Sequence, residues 1–127
     1  MSSKEFIDKY GVNLIIESNK NNIIFKTDSK NVKRDYYLNV YFNKEVFEEL
    51  IKYTESISNK IWNDFTPKEA DSIGSDYAEY YDRKYDNNGC LSIIENFFRI
   101  ERPCIECPYM YKFNKRRMES FMYDLNK

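Results

Sequence analysis

The sequence predicts a single α+β domain over residues 1–127: an antiparallel sheet of about four strands, in the order α-β-β-β-α-α-β-α, with helices packed mainly on one face. Three observations predict it. A chain of 127 residues is the size of one domain and buries roughly two thirds of its unfolded surface, enough for a core without metal or disulfide. Three successive β-rich runs lie in the first third of the chain. A long stretch after Asn43 repeats apolar residues at three- and four-residue steps.

Ser3 to Tyr10 reads as a short helix, capped by Ser3, carrying Phe6 and Tyr10 on one side and closed by Gly11. Val12 to Glu17, Asn22 to Thr27 and Asp35 to Phe42 read as strands of an antiparallel meander, divided by polar turns. In the third run Tyr36, Leu38, Val40 and Phe42 alternate with Tyr37, Asn39 and Tyr41, so one face is core and the other is polar yet aromatic. Asn43 caps a long helix with Phe47, Leu50, Ile51, Thr54, Ile57, Ile61 and Phe65 along one side. Thr66-Pro67 ends it and starts a second helix, Pro67 to Tyr85, interrupted by Gly74. After Asn87-Asn88-Gly89, the apolar run Cys90 to Ile100 reads as one long strand near the sheet centre. From about Asn114 a last helix carries Met118, Phe121, Met122 and Leu125 on one face.

Composition narrows the chemistry. The chain has no His, which removes Ser-His-Asp and Cys-His nucleophiles, histidine bases and mixed His metal sites. Gly11, Gly74 and Gly89 stand singly, so no glycine-rich phosphate loop exists. Asp28-Ser29-Lys30 is a poor match to the acid-x-Lys element of metal-dependent nucleases, since a second acid such as Glu17 would have to stand beside it. No apolar run approaches the roughly 20 residues that span a bilayer, and Met1 to Phe6 lacks the apolar segment of a signal peptide. The expected location is the cytoplasm. Abundant Asn, Lys, Ile and Tyr with no Gln is the bias of AT-rich coding sequence in low-GC bacteria and their phages.

The net charge of −1 conceals an acidic middle. Residues 43–86 carry 6 basic and 11 acidic side chains, against 7 and 5 in each flanking portion, 1–42 and 87–127. Its densest part runs from Asp76 to Asp86. As a helix, this segment would align Tyr77, Tyr81 and Tyr85 beside a row of Asp76, Glu79, Asp82 and Asp86, with neighbours about 5–6 Å apart. Such a row resembles a line of backbone phosphates and would compete for a Lys/Arg-lined nucleic-acid channel. Asp76, Tyr77, Glu79, Tyr80, Asp82 and Asp86 are therefore the candidate partner-binding residues. The competing reading packs the tyrosines on the core and leaves the acids as a solvated face.

Cys104-Ile-Glu-Cys107 has C-x-x-C spacing, but a thioredoxin-type site needs a βαβ context that is missing here. With Cys90 the thiolates reach three, one short of a tetrahedral zinc site, so zinc requires an Asp, a Glu or a second subunit. Reduced thiols packing as small hydrophobes are the expectation, with no metal site and no cofactor. The last third interleaves Arg99, Arg102, Lys115, Arg116 and Arg117 with aromatic residues, a pattern suited to single-stranded nucleic acid. Glu95, Glu101, Glu106 and Glu119 dilute that patch.

The function expected is that of a small non-catalytic protein-interaction module, monomeric or homodimeric. Its sharpest form is a phage or mobile-element inhibitor of a host nucleic-acid-targeting enzyme, anti-CRISPR-like, that occupies a basic channel with the acidic tyrosine helix. The alternatives are direct nucleic-acid binding through the basic aromatic third and a zinc-stabilised dimeric adaptor through Cys104 and Cys107.

Overall fold

A computed structural model of the chain describes residues 2–32, 37–70 and 77–126. Among these the order is β1 (Ser2–Ile7), β2 (Asn13–Ser18), β3 (Ile23–Lys26), a 3-10 turn (Ser29–Asn31), β4 (Tyr37–Tyr41), α1 (Lys44–Ile61), β5 (Glu79–Asp82), β6 (Asn87–Ile94), β7 (Phe97–Glu101), β8 (Tyr111–Phe113) and α2 (Lys115–Leu125). The α+β class, the single small domain and the antiparallel four-stranded sheet all hold. There are two such sheets, ordered β1-β2-β3-β8 and β4-β7-β6-β5, here the first and second sheet.

The first correction lies at the start of the chain, where Ser3 to Tyr10 is strand and turn. Only Phe6 of β1 is buried, and it pairs with Leu14 in a six-residue ladder along β2. An isolated helix of about eight residues is unstable in water, whereas β2 offers a full row of hydrogen bonds. Gly11, at φ +83°, lets the connecting turn close.

The expected meander is also corrected, because β4 does not pair with β3. Asn13 is buried beneath the β3 exit, where its side-chain oxygen accepts from Thr27 Oγ1 at 2.8 Å, Asp28 N at 3.2 Å and Asn31 Nδ2 at 2.8 Å. This node ends β3 at Lys26 and redirects the chain. β8 takes the vacant edge of β3, and β4 joins β7 in the second sheet.

Cys90 to Ile100 is a hairpin rather than one strand. A single strand of that length would exceed the usual 5–6 residues by about a factor of two. Folding back over Glu95-Asn96 sets Leu91 against Ile100 and Ile93 against Phe98, and makes β6 and β7 the central strands of their sheet. Glu95 takes φ 55°, which costs an L residue roughly 1–2 kcal/mol. Glu95→Gly is accordingly expected to stabilise the protein by about 1 kcal/mol in urea unfolding.

The Pro67 to Tyr85 helix is likewise not formed where it is described: residues 65–70 are irregular and 79–82 are β5, while 71–76 lie outside the described residues. After α1 the backbone is strapped to α2, with Thr66 N donating to Glu119 Oε2 at 3.1 Å and Lys68 N to the Glu119 carbonyl at 3.1 Å.

Both long helices start where the sequence places them. The Asn43 and Asn114 side chains accept from the backbone N–H three residues on, at 3.0 and 2.8 Å. α1 stops at Ile61 with Trp62 as its C-cap, and Phe65 is buried beyond it, stacked on Trp62. Each helix packs on both sheets. α1 sets Tyr53 on Phe6 and Phe47 on Phe98, and α2 sets Phe121 on Phe25, Phe113 and Phe98. The core thus fills the angle between the sheets.

A buried carboxylate stitches the sheets together. Asp8 accepts from the backbone N–H of Tyr10 and Val12 through one oxygen and of Tyr41 through the other, each at 2.8 Å. Lys9 N also donates to the Tyr41 carbonyl at 2.8 Å. These bonds place Tyr10 against Tyr41. No helix among the described residues is long and apolar enough to cross a membrane.

Candidate interaction surfaces

The register of the second sheet places its outward side chains in rows. Tyr41, Phe97 and Ile94 form one row, Asn39, Arg99 and Ser92 the next, and Tyr37, Glu101, Cys90 and Glu79 the third, with Tyr81 beyond. The first row is apolar and continues into Tyr10. Tyr41 stacks on Phe97 with centroids 4.4 Å apart and meets Tyr10 edge-on at 5.5 Å. Tyr10 is 74% exposed and Ile94 59%, so a contiguous apolar strip faces solvent on a rigid sheet. Arg99 lies over the Tyr37 ring, 4.3 Å from its centroid, and pairs with Glu101 at 3.6 Å. Glu79 and Glu101 outnumber Arg99 on this face, and exposed Glu95 sits beside the apolar row in the hairpin loop.

The acidic tyrosine segment does not form the predicted helical row. Asp76 lies outside the described residues, and the strand alternation of β5 splits the others between two faces. Tyr80 and Asp82 turn inward. Asp82 is buried and takes hydrogen bonds from the Tyr109 hydroxyl and, at 3.0 Å, from Lys84 N. Tyr77 is half-buried and donates to Asp124 at 2.7 Å. Glu79, Tyr81 and Asp86 are exposed, with the Tyr81 hydroxyl bonded to Asp86. That bond holds the Tyr81 hydroxyl above the ordinary tyrosine range. Glu79 and Tyr81 therefore join the outer face of the second sheet, at the edge opposite Tyr37 and Tyr41.

The basic candidates are dispersed. Arg99 is on that outer face, whereas Arg102 braces the cysteine turn through a hydrogen bond to the Cys107 carbonyl at 3.1 Å. Arg116 reaches back to the Glu69 carbonyl at 2.8 Å. Lys115 and Arg117 stand in the first turn of α2, where Arg117 covers the Tyr80 ring at 5.6 Å from its centroid. The cysteines do not converge either, since Cys90 lies on the outer face and Cys107 is buried in a turn closed by its N–H to the Cys104 carbonyl at 3.0 Å. Burial pushes the Cys90 and Cys107 thiols up, away from the thiolate form that metal binding and redox exchange require. No group of three His, Cys, Asp or Glu side chains among the described residues is placed to hold a metal.

Sequence reasoning missed Tyr10, Ile94 and Phe97. Phe97 and Ile94 were hidden inside one supposed strand, where they point the same way only after the chain folds back. Tyr10 carried no local signal.

No family model matches the chain, and the comparisons with curated proteins and with solved structures found no match.

Proposed function

We propose that the protein is a small non-catalytic interaction module that docks through the outer face of its second sheet. Its partner is a protein surface with an apolar recess ringed by cations, the character of a nucleic-acid-handling channel. The observation that carries this reading is the exposed strip Tyr10, Tyr41, Phe97 and Ile94, with Glu95 in the adjoining hairpin loop and Glu101 and Glu79 two rows further along the same face. Aromatic side chains are enriched at interface cores, and the acidic side chains of this face complement a basic partner. An inhibitor carried by a phage or mobile element and blocking such a channel is the biological form this takes. A nucleic-acid ligand fits this face poorly, because Arg99 is already matched by Glu101.

Tyr10→Glu/Ile94→Glu tests the reading, since both positions are exposed and the core is untouched. The wild-type protein is expected to capture a basic, nucleic-acid-handling protein from host lysate and to lose it when a competing oligonucleotide is added. The double variant, folded as judged by circular dichroism, should bind that protein about 100-fold more weakly, at roughly tenfold per anchor residue lost. Equal capture by both forms would overturn the assignment of the face.

A further inference from the structure

A concavity lies at the β5 edge of the second sheet, away from the Tyr10 strip. Asn21 and Asn22, the Tyr80–Tyr85 segment, Pro108 and Tyr109, and Lys112 to Asn114, together with Arg117, enclose an open groove of about 510 Å3. Arg83, Lys84, Lys112 and Arg117 line it against one acid, Asp82, whose oxygens are already engaged by Tyr109 and Lys84 N. None of the four cations forms an ion pair among the described residues. A concavity with an excess of three positive charges focuses a field that attracts anions. The N-terminal turn of α2, entered at Asn114, adds its positive dipole end.

Two buried polar atoms at this place lack hydrogen-bond partners among the described residues. Tyr80 is only 4% exposed and its hydroxyl has no hydrogen bond, and the Nε of Arg117, lying over that ring, has none either. Buried groups left this way are rare in folded proteins and call for a partner. Tyr85 and Tyr109 add rings on which a base can stack, and the Asn21 and Asn22 amides add donors and acceptors suited to its edge.

We propose that this groove binds a nucleotide, either free or as one unit of a single strand, with its phosphate on Arg117 and Lys112 and its base against the tyrosine rings. Calorimetric titration of the full chain with each of AMP, GMP, CMP and UMP, with adenosine, with inorganic phosphate and with an eight-nucleotide single strand tests it. At least one monophosphate should bind at one site, at least about tenfold tighter than inorganic phosphate, while adenosine should not bind measurably. Arg117→Gln, and independently the exposed Lys112→Gln, should weaken that binding about tenfold or more. A strand that binds more tightly than the monophosphate identifies the polymer as the source, and equal affinity identifies the free nucleotide. Absence of saturable binding by every phosphate probe overturns the proposal. So does inorganic phosphate binding as tightly as the monophosphates, or affinity unchanged in both variants. Tyr10→Glu/Ile94→Glu should leave this binding intact, which separates it from docking through the second sheet.

Discussion

Phe121→Ala is expected to destabilise the protein by about 4 kcal/mol, within the 3–5 kcal/mol typical of a buried phenylalanine truncated to alanine. Phe121 is fully buried, and its ring meets Phe25 at 5.9 Å and Phe113 at 5.0 Å in the first sheet, Phe98 at 5.6 Å in the second, and Tyr77 at 5.2 Å. It is the wedge through which α2 holds the sheets at their angle. Neighbours drawn from two sheets and a turn cannot all collapse into the vacated volume, which places the cost toward the upper part of the usual range. Against a total stability of about 5–15 kcal/mol, this is a large share. Urea unfolding followed by far-ultraviolet circular dichroism measures it. A loss below about 1.5 kcal/mol, the range of mild core substitutions, would mean that the sheets do not meet through this ring.

The next largest loss is expected from Asp8→Ala, at about 3 kcal/mol or more. Three backbone N–H groups donate to this buried carboxylate, and hydrogen bonds to charged groups contribute about 1.5–3 kcal/mol each, though not additively. Removing it leaves the donors of Tyr10, Val12 and Tyr41 without that acceptor and leaves the Lys9 N–H bond to the Tyr41 carbonyl to tie the first turn to β4. Asp8→Asn keeps one acceptor oxygen and should cost clearly less. Because the same carboxylate seats Tyr10 beside Tyr41, Asp8→Ala should also weaken partner capture at temperatures where the variant is still folded. Unfolding free energies for the two variants, measured side by side, check the order. Equal losses for alanine and asparagine would show that the shape of the turn, not the carboxylate, sets its stability.

How far the fold was legible differs element by element. α1 and α2 were readable because their information is local: an asparagine whose side chain caps the first turn, followed by apolar residues on a 3.6-residue period. β2 and β3 were readable from bounded β-rich runs. Residues 77–86 were misleading for a definite reason. Tyr77, Tyr81 and Tyr85 satisfy a four-residue period, while Glu79, Tyr80, Tyr81 and Asp82, two acids around two tyrosines, carry no alternation that would announce a strand. The strand is decided by the free edge of β6, which supplies hydrogen bonds that no local pattern can announce. Cys90 to Ile100 failed differently: its composition was correctly strand-like, but nothing local marked Glu95-Asn96 as the place to turn.

The candidate surfaces were legible only in fragments. Tyr37, Tyr41, Glu79 and Arg99 each stood out by residue type, but their meeting on one face follows from the strand order β4-β7-β6-β5. The groove depends still more on assembly, since its walls come from residues 21–22, 80–85, 108–109, 112–114 and 117.

By itself, then, the sequence determined the α+β class, the two capped helices, the excess of aromatic residues and the loss of histidine chemistry, all of which follow from composition and short-range period. Tertiary structure alone decided that there are two sheets, that Tyr10, Tyr41, Phe97 and Ile94 face outward together, and that Arg117 stands over Tyr80. The physical reason is that period tells which residues share a face of a strand or helix. Which of two faces becomes covered depends on long-range pairing and packing energies, which are sums over the whole chain.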